Sequence, residues 1–150
     1  MAKVLVVEDR EENTVAVYEF FKSIGMEIEV ATNLQEAVMK LEQDFLAAII
    51  DIEIPRIAGT RPERLGQELG EIARNLYLTH IFLTGGTGNH SDCSYISFDC
   101  KEIIKNGPAK SDPMAWKYAW AALSEGIDLQ RNLNSRMRYR TATGKQFRRS

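Results

Sequence analysis

Apolar positions along the chain follow two spacings in turn. Short runs with consecutive or alternating apolar residues lie at Lys3–Val7, Met26–Ala31, Leu46–Ile50, His80–Thr84 and Glu102–Lys105, and each predicts a strand. "VLVV" and "AAII" are apolar throughout, as in strands buried on both faces, whereas "MEIEVA" alternates and belongs near an edge. Between the runs, apolar residues recur at helical spacing. The stripes are Val17, Phe20, Phe21 and Ile24; Leu34, Ala37, Val38 and Leu41; Leu65, Leu69, Ile72 and Leu76; and Trp116, Ala119, Trp120 and Leu123.

Punctuation supports these boundaries. Gly25 stops the first helix, and Asn33 with Glu36 three residues on starts the second. Pro62 is expected to open the third. Asp112 caps the last, with Pro113 at its first position, and Gly126 is expected to end it. The least regular stretch runs from Gly85 to Cys100. "GGTGNH" reads as a loop, and "SDCSYISFD" is expected to hold a short helix with a poor stripe. Strand and helix thus alternate about five times. That predicts an α/β fold, a doubly wound (βα)5 parallel five-stranded sheet with helices on both faces.

Composition changes this picture little. At 150 residues, 44% hydrophobic and 27% charged, the chain reads as one soluble globular domain. No apolar run approaches the ~18–20 residues of a membrane span, and "MAKVLVVED" is unlike a signal peptide, so a cytoplasmic location is expected. Cys93 and Cys100 fit reduced thiols, and with His90 they match no zinc spacing. Trp116 and Trp120, one helical turn apart, read as core, with a homodimer face as the alternative.

Charge changes it more. Residues 1–126 hold twenty acids and twelve bases, whereas 127–150 hold Asp128 against seven bases. This divides the chain into a body, 1–126, and a basic C-terminal tail, 127–150. The tail is too short for a helix-turn-helix domain. It reads as a solvated end, with weak contact to nucleic acid or an acidic partner as the alternative.

In open α/β sheets, ligands bind beyond the carboxyl ends of the strands. There the sequence places Glu8 and Asp9, Asp51, Thr84 and Lys105. Clustered carboxylates without His or Cys favour a hard divalent ion such as Mg²⁺. A lysine and a hydroxyl beside them suit phosphoryl oxygens, and a central Asp can act as nucleophile.

With these residues in place, "VLVVED", "DIEIP…G", "FLTG" and "EIIK" resemble the receiver domain of two-component response regulators over residues 3 to about 126. Gly59, eight residues after Asp51, matches as well. The resemblance implies a flavodoxin-like fold and an aspartyl-phosphate at Asp51. It implies Mg²⁺ held by Glu8, Asp9, Asp51 and the backbone carbonyl of Glu53, with Thr84 as switch hydroxyl and Lys105 on the phosphoryl group. Lys110 is the alternative lysine. The implied partners are a sensor histidine kinase or phosphotransfer protein and an output protein. The chemistry would be self-phosphotransfer and autodephosphorylation, without substrate turnover.

The chain departs from the family in two places. Asn106 follows Lys105 where the family usually has Pro, and the position of the switch aromatic holds Glu102, or Gly107 if Lys110 is the lysine. Glu102 is therefore a candidate gate. Two other readings compete: a receiver-like binding module independent of phosphate, and a metal-dependent phosphohydrolase. Glu53 is the only nearby acid for the latter.

Overall fold

The computed structural model describes residues 2–85, 93–97 and 102–142. In chain order the elements are β1 (Lys3–Val7), α1 (Glu11–Ser23), β2 (Glu27–Ala31), α2 (Leu34–Lys40), β3 (Ala47–Asp51), β4 (Ile54–Pro55), β5 (Pro62–Glu63), α3 (Gly66–Asn75), β6 (His80–Gly85), β7 (Cys93–Ser97), β8 (Glu102–Gly107) and α4 (Pro113–Ala142). The main sheet has the order β2-β1-β3-β6-β7-β8. Its first four strands are parallel, with Val6 opposite both Val30 and Ile49, and Asp51 opposite Leu83. This is the doubly wound arrangement that the alternation of strands and helices predicts, with the flavodoxin-like strand order that the resemblance implies.

Period-two strands divide the core into two layers. Val4, Val6, Ile49, Ile81 and Leu83 pack with Val17 and Phe21 of α1 and Trp116 and Leu123 of α4. Leu5, Val7, Ala48, Ile50 and Phe82 pack on the opposite face with Leu34 and Ala37 of α2 and Leu65 and Leu69 of α3. Among the described residues, Trp116 and Phe21 are the two largest fully buried side chains. Burying each contributes roughly 1.5–3 kcal/mol or more. Three stripe residues near helix ends, Ile24, Val38 and Leu76, are exposed instead.

Three expectations fail, each for a local reason. The stretch expected to hold a short helix contains β7, antiparallel to β6 with Phe82 opposite Ile96. Its Tyr95 and Ile96 favour a pleated strand, and no helical stripe opposes them. The sheet therefore has six strands, and the fifth expected strand, β8, is separated from β6 by β7. Pro62 does not open a helix. It pairs with Pro55 across a small antiparallel ladder, while Ile52 and Ile54 anchor this loop in the core. Gly59 serves the turn between them with φ +82°, a conformation that favours glycine. Finally, α4 does not stop at Gly126. That glycine is absent from the positive-φ residues, and Ile127 just beyond it is buried in the same core as Trp116. His90 and Cys100 lie outside the described residues, as do residues 143–150. Among the described residues, no helix is long and apolar enough to cross a membrane.

Candidate functional site

The carboxyl ends of β1 and β3 deliver three acids to one point. Glu8 extends β1, its backbone N–H still donating to the Ala31 carbonyl at 2.9 Å. Its side chain is fully buried, and Oε1 accepts from Asn13 Nδ2 and from the Arg10 backbone N–H, both at 3.2 Å. Asp51 ends β3, and its Oδ1 accepts from the Glu53 backbone N–H at 3.0 Å. Glu8, Asp9 and Asp51 each present one oxygen within 4.8 Å of the others.

A single buried ammonium ties two of them together. Lys110 Nζ donates to Glu8 Oε2 at 2.9 Å and lies 2.8 Å from Asp51 Oδ2. Its side chain is only 6% exposed. Three carboxylates against one ammonium leave two negative charges when all are ionised. Burial, reinforced by the Glu8 charge, pushes the Asp51 carboxyl up to about 6, against the pull of Lys110 and the Glu53 N–H. Burial and then Glu8 also raise Asp9. Burial works against the charge on Lys110, but Glu8 and Asp51 outweigh it and hold the ammonium above its ordinary value. Such a set of oxygen donors carrying a surplus of two charges fits a hard divalent cation such as Mg²⁺.

Lys110 holds the place expected for Lys105, and the insertion of β7 explains why. Two strands separate β8 from β3, so three spacings place the Lys105 backbone about 14 Å from β3. The chain covers that distance after β8, in the turn before α4. There the Asp112 N–H bonds the Ala109 carbonyl at 2.9 Å, and Trp116 Nε1 donates to the Lys110 carbonyl at 2.7 Å. The Lys105 and Glu102 side chains lie outside the described residues. Glu102 pairs with Ile96, which faces Phe82, so its backbone stands two strands across from β6 and two residues short of Thr84. The expected gate at Glu102 depends on a side chain outside the described residues. Thr84 itself, partly buried, lies one residue past the level of Asp51 on the neighbouring strand.

Three contributors were not legible in the sequence. Asn13 and the Trp116 indole position Glu8 and Lys110 respectively. Gly66 opens α3 against the strand end that carries Asp51, its N–H donating to the Ile52 carbonyl at 2.9 Å. A Cβ there would stand 2.1 Å from the Asp51 backbone oxygen. Only glycine permits that approach.

No protein-family model matches the chain, and no curated protein matches it significantly. Solved structures similar to it include response-regulator receiver domains. A CheY-like receiver domain protein from Methanospirillum hungatei is 26% identical, with a TM-score of 0.48 over 59% of this chain and 68% of the other. A response regulator from Thermotoga maritima, determined in complex with Mg²⁺-BeF, is 29% identical, with a TM-score of 0.48 over 58% of this chain and 72% of the other. A receiver protein from Pseudomonas putida is 26% identical, with a TM-score of 0.45 over 58% and 70%.

Proposed function

We propose that this chain is a receiver of the response-regulator kind, accepting one phosphoryl group on Asp51 and signalling through protein contacts. The observation that carries this reading is the buried Asp51–Lys110–Glu8 cluster at the carboxyl rim, with Asp9 beside it. An ionised Asp51 oxygen attacks the donor phosphorus. The bond from phosphorus to the donor breaks, and its electron pair leaves with the donor group. Lys110 offers its ammonium to the phosphoryl oxygens, and Thr84 offers a hydroxyl from the next strand. Glu8, Asp9, Asp51 and the Glu53 carbonyl would hold Mg²⁺, which supplies charge neutralisation for the transferring group. The donor would be a sensor histidine kinase or phosphotransfer protein in the cytoplasm, and release of phosphate would be self-catalysed rather than turnover of a substrate.

Intact mass after incubation with Mg²⁺ and a small acyl phosphate tests this, with Asp51→Asn alongside. The expected result is one labile phosphoryl group on the wild type and none on the variant. Equal uptake by Asp51→Asn overturns the assignment. One observation favours a second reading, a phosphate-independent binding module: β7 occupies the stretch between β6 and β8 where a helix was expected, and the Glu102 backbone stands two strands across from β6. Uptake of phosphate without any change in hydrogen exchange along β6 to β8 would favour that module.

A further inference from the structure

Two sets of buried contacts meet at Lys110. Its Nζ sits between Glu8 Oε2 at 2.9 Å and Asp51 Oδ2 at 2.8 Å, and its backbone carbonyl accepts from Trp116 Nε1 at 2.7 Å. The Lys110 side chain is 6% exposed and Trp116 is 1% exposed. A close-packed lysine stem has little room to change rotamer, so a pull on the ammonium passes to the lysine backbone.

From that backbone the path leads into α4. The Asp112 N–H donates to the Ala109 carbonyl at 2.9 Å, and the Ala115 N–H donates to the Asp112 carbonyl at 3.0 Å. The Met114 N–H donates to Asp112 Oδ1 at 2.9 Å. Lys110 and the first turn of α4 therefore form one hydrogen-bonded unit. Trp116 closes that turn and shares a core with Phe20 and Phe21 of α1 and with Leu123 and Ile127 of α4. Trp120, one turn further on, meets Phe21 edge to face with ring centroids 5.8 Å apart.

A phosphoryl group on Asp51 changes what Lys110 holds. Without it, the charge that pairs with Nζ lies on the Asp51 carboxylate. With it, up to two negative charges lie on the phosphoryl oxygens, further out from β3. The ammonium follows the larger charge. Glu8 stays in place, because its Oε1 is held by Asn13 Nδ2 and by the Arg10 N–H.

We propose that Trp116 is the positioning residue through which a phosphoryl group on Asp51 moves the first turn of α4. The indole N–H grips the Lys110 carbonyl, so displacement of the lysine reaches a ring packed between α4 and α1. A switch built this way needs no aromatic at position 102 or 107. It rests on the receiver reading of Asp51.

The test uses the full chain, isotopically labelled at its tryptophans, with Mg²⁺ and an excess of a small acyl phosphate. Intact mass reads the loading of Asp51, and the indole N–H resonances read the relay, with Trp120→Phe to assign them. On loading, the Trp116 resonance should shift and the Trp120 resonance should move less. Hydrogen exchange over residues 113–123 should change by about fivefold or more, the lower end of common coupling between sites. Trp116→Phe keeps a ring in the core and removes the donor. It should load more slowly, and once loaded its exchange over the same residues should change by about twofold or less. Loading with an unmoved Trp116 resonance, or an equal exchange response in Trp116→Phe, would overturn the relay and leave the receiver reading standing. Should that variant fail to fold, the wild-type resonance decides alone. Absence of loading would overturn the receiver reading, and the relay with it.

Discussion

The two halves of the sheet follow different rules. Across β2-β1-β3-β6 of the main sheet every strand is parallel, every crossover contains a helix, and the ends of β1, β3 and β6 present side chains expected at that rim. From β6 to β8, two antiparallel pairings replace a helical crossover, and among the described residues the lysine at the site comes from a turn rather than a strand. The first half places its acids by strand geometry alone. The second places its cation by long-range pairing, a buried ammonium held between charges 102 and 59 residues earlier in the chain. Rigid strands fix where charge is presented, and the later segment is free to vary so long as it returns one ammonium to that point.

The comparison breaks most visibly at the two lysines. Lys110→Ala should slow phosphoryl uptake on Asp51 by about 10²–10³, the usual cost of losing one preorganised charge at a reacting centre. Lys105→Ala, three strand spacings away, should stay within about twofold. Acyl-phosphate uptake followed by mass spectrometry checks both, and a larger loss for Lys105→Ala would return the site to the strand.

Gly66→Ala is the next largest. Its Cβ would meet the Asp51 carbonyl oxygen at 2.1 Å and Ile52 Cα at 2.6 Å, both backbone atoms that cannot rotate aside. A loss of about 2–4 kcal/mol in urea unfolding is expected, as for overpacking that displaces backbone.

Asp51→Asn sharpens the electrostatics of the first half. Burial raises Asp51 from 3.8 to about 6. Between those values the folded protein holds a proton that the unfolded chain has released, so wild-type stability falls as pH rises through that window. The variant lacks this fall. In metal-free buffer it should exceed wild type by about 1–3 kcal/mol at pH 8, with the gap closing below pH 4. Chemical denaturation across pH measures it, and a gap that widens on acidification would contradict the assigned cause. Mg²⁺ affinity should weaken in the wild type below about pH 6, since metal and proton compete for the same oxygens.

The smallest effect concerns α4. Gly126 has an ordinary helical backbone, and an added methyl meets Thr79 only at 3.4 Å. Gly126→Ala should therefore stabilise the fold by about 0.5–1 kcal/mol. Destabilisation would mean the helix does end there.

Periodicity alone determined the parallel half of this protein. Apolar runs such as "VLVV" and "AAII" can be satisfied only as strands covered on both faces, so the acids that follow them must emerge at one rim. Glu8, Asp9 and Asp51 were legible for that reason. What stayed hidden depends on residues remote in sequence. Whether "CSYIS" becomes helix or strand turns on β6 offering it an edge, since its short apolar run suits either. Lys105 and Lys110 look alike along the chain, and only the insertion of β7 moves one away and requires the other to reach back. Gly66 reads as one more glycine until α3 is laid against Asp51, and Gly126 reads as a stop until Ile127 is buried beyond it. Local pattern chose the elements because burial of apolar surface is periodic. Tertiary structure chose the lysine because the cost of burying Glu8 and Asp51 falls only when a cation is brought between them.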